Sequence, residues 1–144
     1  MNIKVRQQSE FDRLDLGIDF AYTLLDNKET SGIFSLMHYT MGPFSKGPNL
    51  HIHDQFDQIF FVTKGSPTFI VDNIQKQINY GGIVVAPKGV PHNVINETDS
   101  EVSYLMILKP GGFENYFKDI SQKLDTLTIE DISKLLTKYD ERPI

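Results

Sequence analysis

The chain has 144 residues, 40% of them hydrophobic, a formal charge of −5 and no cysteine, which predicts one ordinary globular domain over residues 1–144. The lack of a basic excess argues against a nucleic-acid partner, and the lack of cysteine excludes thiolate nucleophiles and cysteine-held metal sites. The longest apolar runs, "IFFV" and "YLMIL", are far shorter than the roughly 20 residues that span a bilayer. The charged N-terminus also lacks the apolar core of a signal peptide. We therefore expect a cytoplasmic protein with no membrane partner.

Short runs rich in Val, Ile, Phe, Tyr and Thr recur between turn signals over most of the chain. They predict strands at residues 18–25, 33–41, 50–53, 58–63, 68–71, 74–79, 83–86, 92–96 and 102–108. The connecting segments are short and rich in Gly, Asn, Asp and Pro, so they leave little room for helical crossovers and favour antiparallel pairing. The sequence therefore predicts an all-β sandwich or barrel.

After "KPGG" the apolar residues change to helical spacing, first from Phe113 to Leu124 and then from Ile129 to Tyr139. Thr128 is in the position of an N-cap, because acidic residues follow it in the next turn. We therefore expect α-helices over about residues 111–140. Their apolar stripes either cover one face of the barrel or close the mouth of a pocket.

Two histidines lie one residue apart in the segment "HIHDQFDQIFFVTKG". In a strand, His51 and His53 would share a face about 6.6 Å apart along the chain. Their imidazoles can then lean onto one metal ion at about 2.1 Å from each nitrogen. The alternative is that both are ordinary strand histidines that are hydrogen-bonded or exposed.

A second motif, in "GGIVVAPKGVPHNVIN", has the order G-x5-P-x-G-x2-H-x3-N, while the first reads H-x-H-x4-Q-x6-G up to Gly65. Gly65 and Gly89 stand where hairpins would reverse, since glycine adopts positive φ at little cost. Asn96 would share a strand face with His92 and can tie down the adjacent backbone. Together the motifs resemble those of the cupin superfamily, the small β-barrels that bind a metal ion inside the barrel.

The resemblance covers about residues 33–108, and "LKPGGFENYFKD" resembles the start of the C-terminal helix in quercetinase-like single-domain cupins. It implies an antiparallel double-stranded β-helix, or jelly-roll barrel, with its core at about 18–108 and C-terminal α-helices. It also implies a small-molecule substrate or ligand and a homodimer, which is the usual symmetric assembly.

By the same resemblance the metal ligands are His51, His53 and His92, with Gln58 where the family has glutamate. Asp57 is one residue out of register and should face the other way, although a β-bulge would bring it into the site instead. The implied cofactor is a divalent ion, and nitrogen and oxygen donors of this kind accept Fe, Mn, Ni, Co or Zn.

Gln58 bears on the chemistry, because three imidazoles and a neutral amide leave the full 2+ charge on the ion. Such a site favours Lewis-acid catalysis. In the cupin flavonol dioxygenases that the sequence resembles, the metal-bound glutamate takes the proton of the substrate. Gln58 cannot do this, so quercetinase activity is in doubt here. Other cupins with a His-His-Gln-His set process unsaturated uronates in pectin breakdown. The alternative is that Gln58 replaces the glutamate without changing the function, since an amide oxygen can also bind these metal ions.

Several side chains around the expected site have two interpretations. Phe60, Val62, Tyr104 and Met106 alternate so that they either line an apolar pocket or simply pack in the core. His38 is either a packed or surface residue or a substrate-binding one. The segment "FDQIFF" is aromatic enough to be covered on both faces, as in a subunit interface.

Three functions fit these observations. The first is a metal-dependent enzyme on a small organic molecule, either dioxygenase-like or a Lewis-acid isomerase or lyase of a sugar or keto compound. The second is a non-catalytic cupin that contains a metal and binds or senses a small molecule. The third is a structural barrel with a vestigial metal site.

Overall fold

The strands of the computed structural model, which describes residues 1–144, form two antiparallel sheets. In chain order they are β1 (Leu14–Leu16), β2 (Asp19–Leu25), β3 (Ser35–Met41), β4 (His51–Ile52), β5 (Asp57–Lys64), β6 (Thr68–Val71), β7 (Ile74–Gln77), β8 (Ile83–Ala86), β9 (His92–Ile95), β10 (Val102–Lys109) and β11 (Arg142–Pro143). One sheet has the strand order β1-β2-β3-β10-β5-β8, and the other has the order β11-β4-β9-β6-β7. This is the architecture of a double-stranded β-helix, or jelly roll, so the predicted fold class is confirmed.

Each of the predicted strands is present, with small differences at the ends. The strand β3 begins at Ser35 and not at residue 33, because the Phe34 N–H donates to the Thr30 hydroxyl and holds residues 30–34 in a turn. The strand β7 ends at Gln77, because the chain turns back through a hydrogen bond from Gly82 N–H to the carbonyl of Asn79. The short strands β1 and β11 were not predicted from the sequence.

The core lies between the sheets and is built by strand alternation. Along β3, Met37, Tyr39 and Met41 point inward and are buried. His38 lies on the opposite face, where its Nε2 is 3.2 Å from the Thr63 hydroxyl. This position makes His38 a partly buried residue outside the barrel interior. Each fully buried large apolar side chain on the inner face stabilises the fold by about 1.5–3 kcal/mol.

Two α-helices follow the barrel: α1 (Glu114–Lys123) and α2 (Ile129–Lys138); a 3₁₀ turn, Gln8–Glu10, precedes it. Thr128 caps α2 as predicted, since its hydroxyl accepts from the N–H of Asp131 and the Asp131 carboxylate accepts from the N–H of Thr128. The buried Glu114 carboxylate accepts from the Ser35 hydroxyl and anchors the start of α1 on the barrel. None of the helices combines the length and the apolar character needed to cross a membrane.

After α2 the chain returns to the barrel as a short segment, residues 140–143, which we call the C-terminal strap. Asp140 has a φ of 63°, in the left-handed region that Asp tolerates better than most residues. The next residues form β11, which pairs antiparallel with β4 so that Arg142 is opposite Ile52 and Pro143 is opposite His51. The strap therefore lies directly beside the strand that carries the first histidine motif.

Candidate metal centre

Three of the four histidines meet inside the barrel. His51 lies in β4 and His53 directly follows that strand, while His92 begins β9 and pairs with His51 across the ladder. The ring centroids are 4.5 Å apart for His51 and His92, 4.8 Å for His51 and His53, and 5.2 Å for His53 and His92. All three side chains are buried, and one ring nitrogen from each lies within 4.8 Å of the others. This group could hold a metal ion.

Backbone carbonyls fix the orientation of each ring. The distances from Nδ1 to the carbonyl oxygen are 2.7 Å for His51 and Asn49, 2.8 Å for His53 and Asp140, and 2.9 Å for His92 and Val90. A carbonyl only accepts, so each Nδ1 carries the proton and each Nε2 has a free lone pair. Hydrogen bonds of this kind select the tautomer of metal-binding histidines.

The free lone pairs fit a cation. The buried Nε2 of His53 has no hydrogen-bond partner. The Nε2 of His92 lies 2.6 Å from Oε1 of Gln58, and both of these atoms are acceptors. Without a cation or a proton between them the two atoms would repel each other, and an unpartnered buried acceptor costs about 1–3 kcal/mol. The donor set therefore suits a divalent metal ion.

Gln58, and not Asp57, faces the histidines. The amide of Gln58 is buried, and its Nε2 donates to Sδ of Met106 at 3.1 Å, which directs Oε1 toward His92. Asp57 points away and accepts from the Lys88 backbone N–H at 2.9 Å. No bulge shifts β5 at this point, since Gln58 and Asp57 pair in register with consecutive residues of β10.

Burial keeps the three imidazoles neutral. It lowers the pKa of His51 to about 4, with a further contribution from His92, and the pKa of His53 to about 3. It also lowers the pKa of His92. The neutral imidazole is the form that binds metals, so protons compete little with a metal ion near pH 7.

The histidines open onto a cavity of about 400 Å³. Phe113 forms its wall beside the histidines, with its ring centroid 4.7 Å from that of His53, while Phe56 packs behind His53 at 4.1 Å. Side chains from β5, β10 and α1 form much of the apolar lining: Phe60, Tyr104, Met106, Tyr116, Phe117 and Ile120. Helix α1 thus lines the pocket, which is the second of the two roles that its apolar stripe allowed.

Val62 does not line the cavity, although the alternation of β5 placed it on the same face as Phe60. It is fully buried and packs in the core deeper along the barrel. Strand alternation indicates the face of a side chain but not its depth. Tyr104, in contrast, both packs in the core and reaches the cavity.

Two carboxylates line the cavity, and neither was predicted from the sequence. Asp19 has a structural role, because it accepts hydrogen bonds of 3.0 Å from the Tyr39 hydroxyl, the Gly42 N–H and the Ser45 hydroxyl. Glu141, in the C-terminal strap, makes no side-chain hydrogen bond or ion pair, and burial raises its pKa to about 7. No local motif marks Glu141, since only the docking of the strap brings it to the cavity.

The turn residues of the two motifs behave as expected. Gly65 and Gly89 have φ values of 68° and 79°. Asn96 is buried, donates to the carbonyls of Gly42 and Ser100, and accepts from the N–H of Thr98. These contacts tie the loop that follows β9 to the end of β3.

The family model described as "Cupin domain" matches residues 37–108, which is half of the chain. The matched residues include His51, His53, Gln58 and His92. The chain belongs to the cupin superfamily. No curated protein matches it.

Solved structures share the cupin fold at low sequence identity. KdgF from Halomonas sp. is 15% identical, with a TM-score of 0.70 over 79% of this cupin and 99% of that chain. A predicted oxalate decarboxylase from Thermotoga maritima is 18% identical, with a TM-score of 0.67 over 74% and 99% of the two chains. A sugar phosphate isomerase from Silicibacter pomeroyi is 18% identical, with a TM-score of 0.62 over 74% and 75%. These likenesses show the fold.

Proposed function

We propose that this cupin is a metal-dependent enzyme that acts on a small organic molecule, as a Lewis-acid isomerase or lyase of a sugar or keto compound. The ligands would be His51, His53, Gln58 and His92, and the ion would be Fe, Mn, Ni, Co or Zn. One observation carries the proposal: three buried imidazoles, each with its Nδ1 bound to a backbone carbonyl, present free Nε2 lone pairs beside a cavity of about 400 Å³.

The neutral donor set favours Lewis-acid chemistry over oxygenation. A divalent ion bound by these residues would polarise a carbonyl or hydroxyl oxygen of the substrate. Gln58 contributes an uncharged oxygen, so no ligand offsets the charge of the ion. The fold is shared with a protein described as a sugar phosphate isomerase, which is in line with this reaction class.

The cavity residues would bind and enclose the substrate. A cavity of about 400 Å³ lies within the range of about 300–1,000 Å³ that is typical of small-molecule sites. The ring of Phe113 packs against His53, and Phe117 lines the same cavity from α1, so both would shield a bound substrate from water. Exclusion of water strengthens electrostatic interactions with the polarised oxygen.

Elemental analysis of untagged protein tests the metal site directly. We expect about one equivalent of a divalent ion in the wild-type protein and in His38→Ala, which removes a histidine outside the barrel interior. His53→Ala should lose most of the metal. Unchanged metal content in His53→Ala, or no metal in the wild-type protein under any loading condition, would refute the site.

Turnover separates an enzyme from a binding protein. Metal-loaded wild-type protein should convert at least one compound of a panel of sugars, uronates and keto acids, with flavonols and catechols included to detect oxygenase activity. Tight binding of a panel compound without conversion would instead favour the non-catalytic cupin.

We also propose that the protein forms a homodimer through the outer face of β5 and β8. Phe61 and Ile83 are paired across these strands and are 39% and 64% exposed, and Val85 on the same face is 50% exposed. An exposed apolar patch on an edge strand is a common subunit interface. Sedimentation equilibrium should show a dimer that Ile83→Lys converts to a monomer, and a wild-type monomer at high concentration would contradict it.

A further inference from the structure

The residue that precedes Glu141 is fixed to the metal centre. The carbonyl of Asp140 accepts the hydrogen bond from Nδ1 of His53 at 2.8 Å. The carboxylate of Asp140 accepts from the backbone N–H of Gln55 at 2.7 Å. Both groups of Asp140 are therefore bound to the segment that follows β4, and its positive φ turns the chain so that the next residue reaches the cavity.

The residue that follows Glu141 is fixed to the same segment. The guanidinium group of Arg142 makes two hydrogen bonds to the carboxylate of Asp54, at 2.8 and 2.9 Å. Its backbone pairs with that of Ile52. With both neighbours held, the backbone of Glu141 has a defined position at the edge of the metal site.

The side chain of Glu141 is free to meet a substrate. It lines the cavity that contains the three histidines, and its carboxylate has no hydrogen-bond or ion-pair partner. It is not part of the group of nitrogens within 4.8 Å of one another, so it lies outside the ligand cluster. Asp19, the other carboxylate of the cavity, is occupied by three donors.

Tyr116 and Lys46 are among the other polar side chains that line the cavity with Glu141. The ring of Tyr116 lies close enough for the Glu141 charge to contribute to the raised pKa of its hydroxyl, after the larger effect of burial. Lys46 is exposed at the cavity rim and forms no ion pair with Glu141. Burial raises the pKa of Glu141 to about 7, which suits a group that both takes and returns a proton near neutral pH.

We propose that Glu141 is the acid–base residue of this cavity and supplies the carboxylate that Gln58 cannot. This inference rests on the proposed Lewis-acid function, because the isomerisation of a polarised carbonyl compound through an enolate requires a base that removes a neighbouring proton. The carboxylate stands outside the ligand cluster, so it remains available for the substrate.

The proton transfer balances without an oxidant or a reductant. The Glu141 carboxylate takes a proton from a carbon next to the substrate carbonyl, and the electron pair of the broken C–H bond moves to the carbonyl oxygen to give an enolate. Where that first carbon also carries a hydroxyl, the hydroxyl proton moves to the enolate oxygen, and the electron pair of the C=C bond takes the proton of the Glu141 carboxylic acid at the former carbonyl carbon while the first carbon becomes the new carbonyl. The result is an isomerisation, or an exchange of hydrogen with solvent when the protonated carboxyl exchanges first.

The test compares Glu141→Gln and Glu141→Asp with Glu130→Gln, the same chemical change at an exposed position on α2. Each metal-loaded protein is incubated in D₂O with the enolisable probes dihydroxyacetone, pyruvate and glucuronate, and deuterium incorporation is followed by NMR. We expect Glu141→Gln to lower kcat about 100-fold or more with little change in KM, and Glu141→Asp to restore part of the rate. Glu130→Gln should match the wild-type protein.

A second readout requires no turnover. In metal-free protein labelled with ¹³C at the glutamate carboxyl carbons, the resonance that is missing in Glu141→Gln belongs to Glu141. Saturating dihydroxyacetone should shift this resonance and leave that of Glu130 in place. Metal content should be the same in Glu141→Gln and in the wild-type protein.

The outcomes separate this role from the proposed function. Metal-free wild-type protein under all loading conditions would refute the metal-dependent function, and the inference with it. Wild-type exchange rates in Glu141→Gln would refute the role of Glu141 alone. An absence of exchange by metal-loaded wild-type protein with every probe, together with an unshifted Glu141 resonance, would also refute that role.

Discussion

Replacing Glu141 by Gln should make the protein more stable at alkaline pH, because Gln is a neutral analogue of the protonated side chain. Burial raises the folded-state pKa of Glu141 to about 7, above the ordinary value of 4.5. Folding therefore favours the protonated carboxyl, whose contribution to stability is fully present below pH 4.5 and is lost as the pH rises through 7. Above pH 7 the wild-type protein has to bury a charge that the variant lacks.

The size of the effect follows from the two pKa values. At about 1.36 kcal/mol for each pH unit between them, the buried charge costs the wild-type protein at most about 3 kcal/mol above pH 7. The free energies of unfolding of the variant and the wild-type protein should be similar at pH 5 and should then diverge up to pH 8. Tyr116, the neighbouring phenol, stays protonated over this range, because burial raises its pKa above the usual value.

Urea unfolding of chelator-treated protein at pH 5, 6, 7 and 8 measures the difference. The neutral histidines destabilise both proteins on acidification, since their lowered pKa values oppose protonation in the folded state, and this effect cancels in the comparison. Glu130→Gln should run parallel to the wild-type protein. Parallel curves for Glu141→Gln as well would show that Glu141 is solvated and would contradict its placement in the cavity.

Three further perturbations address the metal centre and the barrel. Gln58→Glu should retain the metal more tightly under chelator competition but turn over carbonyl substrates more slowly, because a charged ligand weakens the Lewis acid; faster turnover would contradict this reasoning. Truncation after Tyr139 removes the Asp140 carbonyl that orients His53 and should lower metal affinity about 10–100-fold, as measured by competition with a chromogenic chelator; unchanged affinity would mean that the strap does not position the ring. Asn96→Ala leaves buried backbone groups unpaired and should lower the free energy of unfolding by about 3 kcal/mol in urea titrations, whereas a loss below about 0.5 kcal/mol would show that water replaces the side chain.

Most of the barrel could be predicted from the sequence because its strands carry local signals. Turn residues bound the runs of β-branched and aromatic residues, and period-2 alternation sets their faces. The strands β1 and β11 have no such signal, since they contain only three and two residues. The strand β11 also pairs with β4, which is distant in sequence, whereas β1 pairs with the adjacent β2 across the turn Gly17-Ile18.

The histidine cluster could be predicted from the sequence for a similar reason. His51 and His53 share a short motif, and a second motif of fixed spacing presents His92. The residues that surround the cluster could not be predicted in this way. Glu141 and Asp140 lie in the polar segment "YDERPI", which has no periodicity and would ordinarily be read as solvated. Only the tertiary pairing of β11 with β4 turns these residues into part of the site.

The docking of the C-terminal strap makes the last stage of site assembly a long-range event. Its hydrogen bonds join residues 85 to 88 positions apart, so forming them closes a long loop at an entropic cost that few contacts offset. Segments held in this way open locally without unfolding of the whole protein. We therefore expect the barrel to bring the three imidazoles together first. The strap then docks in a slower step that orients His53 and places Glu141 in the cavity. Native-state hydrogen exchange of the Gln55 amide, which donates to Asp140, would measure the rate at which the strap opens.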